Sequence, residues 1–270
     1  MDLGLTGKRV IVTGGSKGIG LAAAQLFAAE GADVTIAARR PDALAEAADA
    51  IAAATGVRVE TVAADVSRAE DLDRMAAAMR ERHGRVDVLV NNAGTGTYKP
   101  FLEVTDAELR YAMDINYFAQ FRLCQRIVPL MPPGSAIVNV SGRTALQTLH
   151  PPGSTASGPA KAAELRFTAD LAIELLDRNI RVNCIVPGVV ASPERFEKWE
   201  REAGAAAAAV RAALDPSGRG GARWGTPEEI GEMIVFVASA RGRYLNGESI
   251  LMDGAVKVSY RRLLAEALAG

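Results

Sequence analysis

The chain has 270 residues, a formal net charge of -1 and a hydrophobic share of 49%. That share supplies a buried core and argues against disorder. The balanced charge, with no run of Lys and Arg, argues against a nucleic-acid surface. The length suits one large α/β domain or two small ones. Met1 to Lys8 lacks the apolar core of a signal peptide, and no stretch is long enough to span a bilayer, so a cytoplasmic location is expected. Cys124 and Cys184 lie in apolar surroundings and read as small buried hydrophobes. With only His83 and His150, a histidine-built metal site is not expected.

Short apolar runs alternate with helical patterns along the chain. The strand candidates are Arg9 to Thr13, Val34 to Ala38, Val57 to Val62, Val86 to Val90, Ala136 to Val140, Arg181 to Val186 and Ser249 to Met252. Continuous apolar strands suit a parallel sheet covered on both faces. Ser67 to Glu70 and Thr105 to Glu108 carry the reciprocal capping pattern, and Thr226-Pro227 adds a proline at the first helical position. The expectation is an α/β fold with a doubly wound, parallel, seven-stranded sheet flanked by helices in a single domain. The alanine run Ala205 to Ala209 reads as helix filler, and Pro216 to Gly221 as a loop.

Thr13-Gly14-Gly15-Ser16-Lys17-Gly18-Ile19-Gly20 follows the first strand and opens a helix. Small residues there let backbone approach a pyrophosphate, and the helix start offers free N–H groups and the positive end of its dipole. The pattern resembles the short-chain dehydrogenase/reductase family, and the resemblance continues through Asn91-Asn92-Ala93-Gly94 after the fourth strand, Asp65 after the third and Pro187-Gly188 after the sixth. It runs from about Lys8 to about Gly254 and implies a Rossmann-like fold. It also implies that Gly14, Ser16, Lys17, Gly18, Ile19 and Gly20 cradle a nicotinamide dinucleotide. Asp65 and Val66 would meet the adenine; Asn92, Ala93 and Gly94 would line the cofactor; Pro187, Gly188 and Val190 would pack against the nicotinamide. A carboxylate ending the second strand would hold the ribose diol of NAD and repel a 2′-phosphate. That position is Ala38, followed by Arg39 and Arg40 with Lys17 nearby, which favours NADP(H) over NAD(H) unless the arginines are only solvated residues at a helix entry.

The resemblance implies catalytic roles for Ser141, which would orient the reacting oxygen, Lys161, which would hold the nicotinamide ribose, and Asn116, which would keep a water-linked proton path. It also implies a tyrosine that moves the proton. Four residues before Lys161 stands Ser157, and the family's usual spacing from Ser141 gives Ser154; neither is a tyrosine. A serine hydroxyl is shorter than a phenol and poorly matched to proton transfer near neutrality. Four explanations stay open: another group such as His150 or Tyr98, or a water, moves the proton; the substrate needs little acid catalysis; the fold has turned to non-redox chemistry or ligand binding; or the serine was introduced to trap a complex.

Arg143 is a candidate partner for an anionic substrate group, and equally a solvent-facing loop residue. Residues 192–221 read as a substrate lid whose helical part would place Phe196 and Trp199 on one face. Residues 258–270 read as an amphipathic helical tail. The resemblance further implies a homodimer or homotetramer built through the helices that carry Asn116 and Lys161.

Overall fold

The computed structural model describes residues 2–96, 98–146, 153–193 and 223–256, with scattered positions between 196 and 215. Seven strands form one parallel sheet: β1 (Arg9–Thr13), β2 (Asp33–Ala38), β3 (Glu60–Ala63), β4 (Val88–Asn91), β5 (Ala136–Val140), β6 (Arg181–Pro187) and β7 (Ser249–Met252). Their order is β3-β2-β1-β4-β5-β6-β7. The order reverses at β1 and β4, and in such sheets ligands bind beyond the carboxyl ends of the strands flanking that point. The central strands β4 and β5 are buried at every position, as expected where helices cover both faces.

Successive residues of a strand serve opposite layers. Val10 and Val12 join Phe27, Leu44, Ile51 and Ile234, which come from α1 (Gly18–Ala29), α2 (Pro41–Thr55) and α7 (Pro227–Ala238). Ile11 faces the other way, toward Leu72, Met75, Leu123 and Phe167. These belong to α3 (Ala69–His83), α5 (Ala119–Ile127) and α6 (Ser157–Glu174). The helix α4 (Asp106–Met113) runs into α5 through a π turn, Asp114–Phe118. This is the single α/β domain that the alternation of patterns implied.

Two local expectations are corrected. The third strand begins at Glu60 rather than Val57, because pairing with β2 starts at Thr35 and Glu60. Val57 belongs instead to the turn leaving α2, where its N–H donates to the Thr55 hydroxyl at 3.1 Å. The capping pattern at Ser67 does not form: the Ser67 hydroxyl donates to Asp65 Oδ1 at 2.7 Å, and α3 starts after an uncapped Arg68. At Thr105 and Thr226 both halves of the reciprocal cap are present, with Pro227 in the first turn of α7. Cys124 and Cys184 are free and buried; burial pushes the Cys124 thiol up to about 12 and raises that of Cys184 as well. Among the described residues, no helix is long and apolar enough to cross a membrane, and no cluster of His, Cys, Asp and Glu could hold a metal ion.

Candidate active site

Thr13 ends β1, and its hydroxyl ties the first and fourth strand ends together. It donates to the Val90 carbonyl at 3.2 Å and accepts from the N–H groups of Asn92 and Ala93 at 3.0 and 3.1 Å. The Asn92 amide donates to the carbonyls of Thr13 and Gly14. The side chain of Asn92 therefore shapes the glycine loop from within. A side chain at Gly20 would collide with the Gly14 carbonyl, so glycine is what lets the first turn of α1 press against the loop. No side chain caps α1, whose N-cap Lys17 is extended. Its first N–H groups and dipole are thus directed at whatever occupies the loop. Tight backbone approach and an uncapped helix start fit the pyrophosphate of a dinucleotide.

Arg39 and Arg40 are exposed at the end of β2, and Lys17 is exposed in the glycine loop. Arg40 has Asp42 at 4.0 Å, whereas Arg39 and Lys17 have no ion-pair partner among the described residues. Asp65 accepts from the Ser67 N–H and hydroxyl, while its own N–H donates to Asp71 Oδ2 at 2.8 Å. Val66 is buried in the core layer of α3.

The π turn places Asn116. A π turn shifts backbone hydrogen bonds to a five-residue reach, and Asn116 lies inside this one. The Asn116 amide donates to the Ala112 carbonyl at 2.8 Å and to the Thr95 carbonyl at 3.0 Å, while Thr95 N–H donates to Asn116 Oδ1 at 3.2 Å. Asn116 is wholly buried, and it pins the loop that follows Asn91-Asn92-Ala93-Gly94. Gly94 is the meeting point: a Cβ there would lie 2.7 Å from Asn116 Oδ1 and 3.0 Å from Lys161 Nζ.

Ser157 is the first residue of α6 and is 1% exposed. Lys161 lies one turn later and Glu164 a further turn on, so all three share a helix face. The Ser141 hydroxyl, just past β5, donates to the Lys161 carbonyl at 2.9 Å. Lys161 Nζ donates to Glu164 Oε1 at 3.1 Å. Glu164 is completely buried, and that burial raises its carboxyl above the ordinary value of 4.5 despite Lys161 and the Ser141 hydroxyl, which both favour the ionised form. Glu164 was not anticipated from the sequence. The available signal was its spacing, three residues after Lys161 and on the same face as the buried Ala160, Phe167 and Thr168.

Below this cluster, polar side chains cross the sheet in series. Asn91 donates to Asn139 Oδ1 at 2.9 Å, Asn139 donates to Thr168 Oγ1 at 2.9 Å, and Thr168 donates to the Glu164 carbonyl at 2.8 Å.

The remaining expectations fall in several places. Ser154 precedes α6; its carbonyl accepts from Gly158 N–H and its buried hydroxyl has no hydrogen-bond partner among the described residues. Tyr98 is half exposed and folds over Gly96, and the neighbouring Lys99 N–H bonds the Gly153 carbonyl, linking that loop to the entry of α6. Arg143 opens a short 3-10 turn directly after Ser141 and Gly142. Pro187 ends β6, Gly188 N–H donates to the Met252 carbonyl, and Val190 is buried and bridges to Gly225. Phe196 packs on Trp224 with ring centroids 5.8 Å apart. His150, Trp199, most of the 192–221 segment and the 258–270 tail lie outside the described residues.

Residues 14–256 match the family model described as enoyl-(acyl carrier protein) reductase. The chain is 33% identical over 261 residues to the 3-oxoacyl-(acyl-carrier-protein) reductase FabG of Chlamydia muridarum, covering 93% of this chain and 98% of that protein. Among solved structures it is similar to L-sorbose reductase from Gluconobacter frateurii complexed with NADPH and L-sorbose. The identity is 35%, the TM-score 0.85, and the coverage 94% and 98% of the two chains. It is also similar to the RhlG/NADP active-site complex from Pseudomonas aeruginosa, with 32% identity, a TM-score of 0.82 and coverage of 93% and 96%. The switch-point glycine loop, the strand order and these full-length similarities together show that the chain belongs to the short-chain dehydrogenase/reductase family of NAD(P)-dependent oxidoreductases.

Proposed function

We propose that the chain transfers a hydride between NADP(H) and a carbonyl/alcohol or C=N substrate, with Ser157 standing where the family's tyrosine would be. The observation that carries this reading is the convergence of Asn116 Oδ1 and Lys161 Nζ on Gly94, with Ser141 hydrogen-bonded to the same lysine's backbone. That cluster and the uncapped glycine loop lie at the switch point where this family binds its cofactor. When bound, the nicotinamide supplies or accepts the hydride. Gly14, Ser16, Lys17, Gly18, Ile19 and Gly20 hold the pyrophosphate, and Lys161 holds the nicotinamide ribose. Asp65 and Val66 border the adenine, while Pro187, Gly188 and Val190 border the nicotinamide. Ser141 donates to the reacting oxygen. Arg39, Arg40 and Lys17 select the 2′-phosphate by charge. The solved relatives complexed with NADPH and with NADP support that choice.

The same reading includes a homodimer or homotetramer joined through α5 and α6. A groove of about 630 Å³ between these helices is lined by Tyr117, Phe121, Phe167 and Leu171, and Phe121 is partly exposed there. Light scattering on the purified chain tests it.

The deciding experiment is turnover with stereospecifically deuterated NADPH across a panel of ketones, aldehydes and imines. Deuterium appearing at the reduced carbon is the expected result. No transfer across the panel favours a non-redox enzyme or a nucleotide-binding protein on the same scaffold.

A further inference from the structure

Lys161 is the cation that the proposed function sets against the nicotinamide ribose, and its tip is tethered. Nζ donates to Glu164 Oε1 at 3.1 Å. The lysine side chain is 10% exposed and that of Glu164 not at all. The ammonium lies beside Gly94, where an added Cβ would stand 3.0 Å from it. A lysine is a flexible four-carbon stem carrying three rotatable donors. Held at its tip by a residue on the same helix face, it loses that freedom.

Glu164 itself has little room to move. Its backbone carbonyl accepts from Thr168 Oγ1 at 2.8 Å, and Thr168 accepts from Asn139 of β5 at 2.9 Å. Its neighbours on the buried face of α6 are Ala160, Phe167 and Thr168. Stability alone does not explain an acid at this position. Its Oε2 is buried without a hydrogen-bond partner among the described residues. A buried ion pair is often matched or bettered by apolar side chains of similar volume. An apolar residue here would satisfy the packing and leave the ammonium loose. What the carboxyl group adds is a fixed acceptor beneath the lysine.

We infer that Glu164 is a positioning residue: its carboxyl group fixes the Lys161 ammonium beside Gly94 and turns the donors not used by Glu164 toward the nicotinamide ribose. This rests on the reading above in which Lys161 holds that ribose. Three N–H donors on one ammonium allow the division, one inward to Glu164 and the others outward. Glu164 touches neither cofactor nor substrate and acts through Lys161 alone. Side-chain length matters to the contact. An aspartate is one methylene too short for it, whereas a glutamine keeps an acceptor oxygen at the same reach.

The test uses the full chain as wild type, Glu164→Gln, Glu164→Asp, Glu164→Leu, Lys161→Met and the double variant Lys161→Met/Glu164→Leu. NADPH affinity is read by fluorescence titration, with thermal melts alongside. Lys161→Met and Glu164→Leu should each weaken NADPH by about tenfold or more, because a charge-assisted bond is lost or misdirected. The double variant should bind as Lys161→Met does, since a residue acting only through Lys161 has nothing left to act on. Glu164→Gln should stay within about threefold of the wild type, and Glu164→Asp should fall with Glu164→Leu. A merely structural carboxyl predicts the reverse order, with Leu at least as good as Gln. Losses in the two single variants that add in the double, or wild-type NADPH affinity in Glu164→Leu, overturn the inference while the redox reading stands. If Glu164→Leu does not fold, the double variant, which buries no unpaired charge, decides with Glu164→Gln. Binding weaker than that of Lys161→Met in the double, or a loss in Gln as large as that in Asp, then overturns it. Wild-type NADPH affinity in Lys161→Met removes the ribose contact, and the inference falls together with that part of the reading.

Discussion

The Asn92 side chain, at the end of β4, hydrogen-bonds the carbonyls of Thr13 at 3.0 Å and Gly14 at 3.3 Å. One amide thus holds the exit of β1 in the shape from which the glycine loop departs. Asn92→Ala should weaken NADPH binding and lower stability by about 1–2 kcal/mol, because carbonyls that fold against the loop lose their donor. Denaturant unfolding together with NADPH titration checks both effects. Unchanged NADPH affinity in a destabilised variant would confine Asn92 to the fold.

Gly94→Ala should cripple turnover while leaving the fold in place. Its new methyl would sit 2.7 Å from Asn116 Oδ1 and 3.0 Å from Lys161 Nζ. Asn116 is pinned by three hydrogen bonds, so the lysine end is the part that yields. A displacement of that kind at a reacting centre lowers kcat by about tenfold or more. Steady-state kinetics beside a thermal melt separates this from unfolding.

Arg39→Ala should weaken NADPH by about tenfold and NADH by less than about twofold, since a charge-assisted bond to the 2′-phosphate exists only with the former. Comparative titration of the two cofactors measures the ratio. Equal losses would return Arg39 to the role of a solvated helix-entry residue.

The stability of the protein should depend on pH through Glu164. Its folded-state carboxyl is raised above the ordinary 4.5 by burial. Between those two values the folded chain binds the proton more firmly than the unfolded chain does. The contribution is therefore fully present below 4.5 and is lost as pH climbs through the raised value. Glu164→Gln should remove this component, so that the variant gains on the wild type as pH rises. Urea unfolding at a series of pH values gives the slope; parallel curves would count against a titrating Glu164.

The sheet could be read from the sequence because a strand covered on both faces must be apolar along its whole length. Hence β1 and β5 fall where their apolar runs begin and end. The third strand departs because an edge strand needs only one covered face, and Val57 and Val59 find core contacts without joining the ladder. At Ser67 the pattern of residue types fits a cap, but α3 starts one residue later, with Arg68 at the N-cap position. At Thr105 and Thr226 the threonine itself is the N-cap residue. In the site, glycines and asparagines were visible because their spacing follows strand ends. The π turn that holds Asn116 was not, since a shift in backbone hydrogen-bond reach leaves no mark in residue types. Glu164 was hidden for a related reason: a glutamate on a helix is ordinarily solvated, and only the placement of α6 shows that this one is enclosed.

The line of side chains from Asn91 through Asn139 to Thr168 bears on how firmly α6 is indexed. Apolar packing alone tolerates small slides of a helix along a sheet, because one methyl group replaces another with little loss. A directional bond from β5, braced by Asn91 of β4, does not. A shift of α6 by a single turn would strand the Asn139 amide and break its bond to Thr168. Ser157, Lys161 and Glu164 are therefore registered against β4 and β5 by a latch on the protein's dry side. The geometry of the candidate site can then stay fixed while the surface above it varies.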